Sequence, residues 1–260
     1  MSDGAAVLAE VQDGVGVMTL NRAQKFNCIS SDLVAGIAAA LVQFEDDPSV
    51  HAVLMRANGK HFCTGADLIE VNEARKSRRT MKAYIERFHA TMSALEASPL
   101  PVVCAVNGLA LAGGLEIVLA CDVVYAADSA KIGDQHAQYG LIPGGGGSQR
   151  LPRLVGLRRA LELMYSARWL EMSEAREWGL VNHVVPAQEL DTASMAFCQQ
   201  LATRNRQGIA LMKKLAREGL AMSPGDGLRL EEALIVDALR EDNVGEGLAA
   251  FAQRREPNFK

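Results

Sequence analysis

Two β-rich runs open the chain, Val7-Leu8-Ala9-Glu10-Val11 and Val15-Gly16-Val17-Met18-Thr19-Leu20, with Asp13-Gly14 between them. Asp-Gly in that position predicts a tight hairpin. Ser30-Ser31-Asp32 then offers caps for a helix over 33–45, whose apolar residues recur at helical spacing, and Pro48 closes it. Residues 50–56 are short and β-branched enough for a buried strand. The charged stretch 70–80 lacks a period and reads as mobile. A helix over about 81–97 follows, halted by Ser98-Pro99-Leu100-Pro101. Residues 102–106 form a strand pattern, Gly113-Gly114 opens a helix toward Ala120, residues 123–126 resume the strand pattern, and 148–155 is helical again.

This repeated alternation predicts an α/β fold over separate all-β and all-α halves. From about Asp191 helical patterning takes over, interrupted by Ser223-Pro224-Gly225. The expected organisation is a core of stacked β/α turns over 1–195 and a helical region over 196–260, with no low-complexity linker between them.

Composition narrows the function. Of 260 residues, 49% are hydrophobic and 22% charged, and the net charge is -4. That balance leaves no electrostatic footprint for nucleic acid or a polybasic membrane surface, and Arg75-Lys76-Ser77-Arg78-Arg79 reads as a solvated helix face. The five cysteines are scattered and form no CxxC pair, so neither a disulfide framework nor a zinc site is expected. No run approaches the ~18 apolar residues of a membrane span, and no basic leader precedes an apolar run, so the expected location is the cytoplasm.

Three segments carry candidate chemistry. In His61-Phe62-Cys63-Thr64-Gly65-Ala66-Asp67-Leu68, Gly65 permits a tight turn and the small Ala66 leaves its backbone N–H approachable; the alternative is a loop with a helix cap at Asp67. In Asn107-Gly108-Leu109-Ala110-Leu111-Ala112-Gly113-Gly114-Leu115-Glu116, a helix N-terminus presents free N–H donors to developing negative charge. Glu116 lies one turn in among apolar neighbours, where a carboxylate is a candidate for a tuned pKa, although an acid in a first turn also suits the helix dipole. The third segment runs from Gly133-Asp134-Gln135-His136 to the four glycines 144–147 and Ser148-Gln149-Arg150. It lacks the GxxxxGK[ST] of a phosphate loop, so the glycines are expected to permit a close turn and tight packing where the next helix starts.

Taken in order, these segments resemble the crotonase superfamily, the enoyl-CoA hydratase/isomerase family. The likeness runs from Asn21-Arg22-Ala23-Gln24-Lys25-Phe26-Asn27, through Ile142-Pro143-Gly144 and Gln149-Arg150-Leu151, to a tail from Glu246-Gly247 to Arg254-Arg255-Glu256-Pro257. The resemblance implies stacked ββα turns, a helical C-terminal region that trimerises, and a homotrimer or a hexamer of two trimers. It implies an acyl-CoA thioester substrate, with coenzyme A part of that substrate and no separate cofactor or metal. The coenzyme would lie along Lys25, Phe26 and Asn27 and the turn of Ala66, Asp67 and Leu68. The thioester oxygen would accept from the N–H groups of Ala66 and Gly113; losing one such donor costs about 3–4 kcal/mol of barrier.

Family hydratases use two glutamates for water and the α-proton. The first falls on Glu116. Counting back from Gly140-Leu141-Ile142-Pro143, the second falls on His136, with Asp134 the nearest acid, two positions out of register. His136 is either an ordinary polar residue or an imidazole that takes the second acid/base role. The expected reaction is water addition to a trans-2-enoyl-CoA, or its reverse. The alternatives are isomerisation or thioester hydrolysis on the same oxyanion hole, or an acyl-CoA-binding protein that has lost turnover. The acyl pocket is expected to draw on 70–92.

Overall fold

The computed structural model describes residues 4–259. Strands β1 (Val7–Gln12) and β2 (Val15–Leu20) form the hairpin, pairing Gln12 with Val15 across Asp13 and Gly14, both at positive φ. Helix α1 (Ser31–Asp46) begins at Ser30, whose hydroxyl accepts from the Leu33 N–H at 3.2 Å. Strand β3 (Ala52–Ala57) follows, then α2 (Leu68–Ala74) and α3 (Arg78–Ala97). The stretch expected to be mobile is therefore largely helical. Asp67 caps α2, accepting from the Ile69 N–H at 3.1 Å, and Ser77 caps α3.

Two consecutive ββα turns build the centre. In the first, β4 (Val102–Val106) and β5 (Leu109–Leu111) lead into α4 (Gly113–Ala120). In the second, β6 (Val123–Ala127) and β7 (Lys131–Gly133) lead into a 3-10 turn (Ala137–Tyr139) and α5 (Gly147–Val155). Helix α6 (Leu157–Ser166), β8 (Leu170–Glu171), α7 (Met172–Glu177) and β9 (His183–Val185) continue to α8 (Leu190–Ala202). The first strand of each turn joins one sheet, ordered β1-β2-β3-β4-β6-β9 and parallel beyond the hairpin; the second joins a smaller sheet, β5-β7-β8. Every residue of β2 and β4 is buried, as the uninterrupted apolar runs of a covered parallel sheet require.

The C-terminal helices are α9 (Arg206–Gly219), α10 (Pro224–Ala238) and α11 (Asp242–Gln253). Residue 195, the expected end of the core region, lies inside α8, and α8 packs on β2, β3, β4 and β6. The helices that extend beyond the sheet begin with α9. Neither α9 nor α10 buries a residue fully.

Candidate active site

Helix α4 buries all eight of its residues, and Glu116 is the one charged side chain among them, 2% exposed. Its Oε1 accepts from the N–H of Gly145 at 2.7 Å and of Gly147 at 2.8 Å. The glycines allow that approach: a Cβ on Gly145 would stand 2.2 Å from Phe88 Cε1 and 2.7 Å from Glu116 Oε2. Gly147 also opens α5, so its N–H is a free donor at the positive end of a helix. The four glycines do more than permit a turn. They lay backbone donors on one carboxylate oxygen and leave Oε2 clear. Burial pushes the Glu116 pKa up; the N–H bonds and the neighbouring imidazole pull it back, and the result stays above the usual carboxylate value.

His136 stands at the start of the 3-10 turn after β7, 8% exposed, with Nε2 4.0 Å from Glu116 Oε2. Its Nδ1 lies 2.8 Å from Asp134 Oδ1, and the same oxygen accepts the His136 backbone N–H at 3.1 Å. With Nδ1–H directed at a carboxylate, Nε2 is the nitrogen that faces Glu116. Burial pulls the His136 pKa down, but the hydrogen bond and charge of Asp134 and the charge of Glu116 outweigh it, and the value rises above the ordinary one. The sequence count thus lands on a residue that does face Glu116. Its buried partner Asp134 was noted only as the nearest acid. The available signal was the i, i+2 spacing, which lets an Asp oxygen reach the N–H two residues on.

Two backbone donors lie close to one another near this pair. The 61–67 loop is stitched on one side to Ile29, by Ile29 N–H to Gly65 O at 2.8 Å and Asp67 N–H to Ile29 O at 2.8 Å. On the other side it meets β5, by Cys63 N–H to Leu109 O at 3.0 Å and Leu111 N–H to Cys63 O at 2.9 Å. A Cβ on Gly114 would lie 2.1 Å from Cys63 O, so only glycine lets α4 start against this loop. Ala112 caps α4 at φ 51, ψ -117 with no side-chain cap, a costly conformation for an L-residue that directs the next N–H outward. A Cβ on Gly113 would stand 3.7 Å from Ala66 N, so these two N–H groups sit side by side. Among the described residues neither has an acceptor.

The segments expected to hold the coenzyme meet. Arg22 pairs with Asp67 at 3.1 Å and donates to Cys28 O at 2.6 Å, and Thr64 N–H reaches Phe26 O at 3.3 Å. Lys25 and Phe26 are exposed, Phe26 edge-on to the His61 ring with centroids 5.6 Å apart, and Leu68 is exposed at the start of α2. Asn27 departs from the expectation. It is fully buried: its Oδ1 accepts from Arg22 N–H at 2.7 Å, and its Nδ2 donates to Asn58 O at 2.9 Å and His61 O at 2.8 Å. Its side chain ties the loop after β2 to the loop after β3. Arg22, which ties the two segments, was missed because an exposed-looking Asn-Arg pair in a loop gives no sign of a partner 45 residues on. From the expected acyl region, α3 brings Phe88 against Gly145 beside Glu116. Among the described residues no cluster of three or more His, Cys, Asp or Glu could hold a metal ion, and no helix is long and apolar enough to cross a membrane.

The sequence profile of the enoyl-CoA hydratase/isomerase family matches residues 10–260. A probable enoyl-CoA hydratase of Mycobacterium tuberculosis is 34% identical over 253 residues, covering 97% of each chain. The mitochondrial methylglutaconyl-CoA hydratase of Homo sapiens is 34% identical over 258 residues, covering 97% of this chain and 76% of the human one. The crystal structure of an enoyl-CoA hydratase from Bacillus anthracis superposes with a TM-score of 0.93 at 33% identity, covering 98% of this chain and 99% of that one.

Proposed function

The chain belongs to the enoyl-CoA hydratase/isomerase family, and on that premise we propose that it adds water across the double bond of a trans-2-enoyl-CoA, or removes it, using Glu116 and His136. The protein is an acyl-CoA hydratase-like enzyme; the names of its relatives favour this over isomerase, hydrolase or binding-protein readings. One observation carries the assignment of roles. Glu116 Oε2 and His136 Nε2 stand 4.0 Å apart, both buried, beside two backbone N–H groups without acceptors.

In this reading the thioester oxygen accepts from Ala66 and Gly113, which favour the enolate over the neutral ester. Glu116 Oε2 takes a proton from water as the water oxygen bonds to the β-carbon. The double-bond electrons pass toward the thioester carbonyl. The protonated His136 Nε2 then delivers its proton to the α-carbon. That leaves Glu116 protonated and His136 neutral, and transfer of one proton between them restores the starting state. The coenzyme part of the substrate would lie along Lys25, Phe26 and Leu68, with Asp67 and Asn27 holding the rim through Arg22 and the neighbouring backbone. No cofactor beyond the substrate's own coenzyme A enters these steps. We further propose a homotrimer or a dimer of trimers, supported by the exposed apolar side chains of α10 and α11, among them Leu228, Val236, Leu248 and Phe251.

The loss of crotonyl-CoA absorbance tests the chemistry. Purified protein should consume the enoyl chromophore, and Glu116→Gln should slow it by about 10²–10⁴-fold, the usual worth of a positioned acid/base. A wild-type rate equal to buffer, with CoA-ester binding intact, would sink the proposal. Unchanged turnover in His136→Ala would reduce the imidazole to a structural role.

A further inference from the structure

We propose that Asp134 is the positioning residue of this site: its carboxylate fixes the His136 ring so that Nε2 is the atom offered to substrate and to Glu116, and it restores the negative charge that a two-glutamate pair would carry. The inference rests on the hydratase reading above and goes beyond it by assigning a third member.

An Asp oxygen accepting the N–H two residues on is an ordinary turn device, and by itself it says nothing of chemistry. Here Oδ1 also meets the ring, at 2.8 Å, so one oxygen holds both the backbone and the imidazole of His136. Asp134 is 1% exposed, and its Oδ2 is buried without a partner. A carboxylate in that state is costly unless a charge offsets it, and the imidazole is the group in reach. Its backbone is anchored to the oxyanion side of the site as well: the preceding Gly133 carbonyl accepts from the N–H of Ala112, the residue that caps α4.

The charge count gives the arrangement its sense. Two glutamates sharing one proton carry a net charge of minus one. Replacing one by imidazole, with one proton on the Glu116–His136 pair, leaves zero. Adding the Asp134 carboxylate returns the site to minus one with a movable proton still shared between Glu116 and His136. The charges acting on the imidazole are Asp134, from its own loop, and Glu116, from α4. The loop before α5 faces Glu116 with neutral N–H donors, and α6, which packs on the 3-10 turn, brings no charge that acts on the ring.

The test combines histidine NMR with kinetics. Ring ¹⁵N shifts of the wild type, with the His136 signals assigned by their absence in His136→Gln, should report proton on Nδ1 and none on Nε2 at high pH. Asp134→Asn keeps the shape and an acceptor oxygen and removes the charge. It should lower the His136 titration midpoint by about 1–3 pH units, the range expected for losing a close opposite charge. The alkaline limb of kcat/KM for crotonyl-CoA hydration should move the same way, so the variant loses more activity at pH 8 than at pH 6. A proton resident on Nε2 in the wild type, or an unmoved midpoint and pH profile in Asp134→Asn, overturns the proposal. The wild-type tautomer decides even where the variant does not fold. Absence of crotonyl-CoA turnover in the wild type would remove the hydratase reading alone, because tautomer and midpoint are read without substrate.

Discussion

At His136 two opposing effects meet, and the winner sets a stability signature. Burial disfavours the imidazolium, while Asp134 and Glu116 favour it and prevail. A histidine whose folded pKa is raised contributes stability that is complete below its unfolded pKa of about 6.5 and is lost as pH rises through the folded value. The Tm advantage of wild type over His136→Gln is therefore expected to be largest near roughly pH 6 and to shrink toward roughly pH 9. Glu116, raised as well, tilts stability in the same direction, since its folded form also holds a proton longer than its unfolded form. A Tm difference that is flat with pH, measured by calorimetry across that window, would show that the surrounding carboxylates do not favour the charged ring. Much of this site is readable in the chain. Gly113 and Glu116 follow from a helix opening on glycines, and the position of His136 follows from a count anchored on Gly140. Asn27 misled because a polar loop residue looks the same whether it faces a ligand or, as here, bonds three backbone groups.

Among the elements, those with a strong local cause were readable and those made by distant contacts were not. The β1–β2 hairpin follows from Asp13-Gly14, and α1 from the Ser30 cap and its apolar stripe. Strands β5 and β7 have three residues each, too few to show a period, and exist because they pair with each other. Helix α2 buries none of its residues fully, so it has no apolar stripe to read. Its start depends on the Asp67 cap, and Asp67 is in turn held by Arg22 from the loop after β2. The alternative of a loop with a helix cap at Asp67 is what residues 61–68 form, and the backbone N–H of Ala66 beside that cap has no acceptor among the described residues. In the sequence, the glycine run before α5 reads as a close turn and tight packing. Its contact with Glu116 is visible only once two turns of the fold are stacked.

For the molecule as a whole, α9 is joined to the candidate site by a line of charge. Arg217 of α9 pairs with Glu96 at 3.0 Å and with Asp122 at 2.7 Å, and Lys213 meets Asp122 at 2.7 Å. Glu96 also pairs with Arg150 at 2.5 Å, and Arg150 donates to the carbonyl of Gly145 at 2.8 Å, the residue whose N–H holds Glu116. Farther out, α11 carries Phe251 86% exposed and Leu248 68% exposed, a pattern that calls for an apolar partner. Sedimentation equilibrium should return three or six times the chain mass of 27.9 kDa, and Phe251→Glu with Leu248→Glu should lower it. A wild-type protein that sediments as a single chain at micromolar concentration contradicts the assembly.

The clamp on Glu116 also dictates handedness. With Oε1 held by Gly145 and Gly147, the proposed chemistry falls to Oε2, which stands 4.0 Å from His136 Nε2. Oxygen and hydrogen must then arrive on one face of the flat enoyl group. Run in deuterium oxide, hydration should place hydroxyl and deuteron syn and yield a single diastereomer by NMR. An anti product would mean that the proton comes from solvent across the cleft.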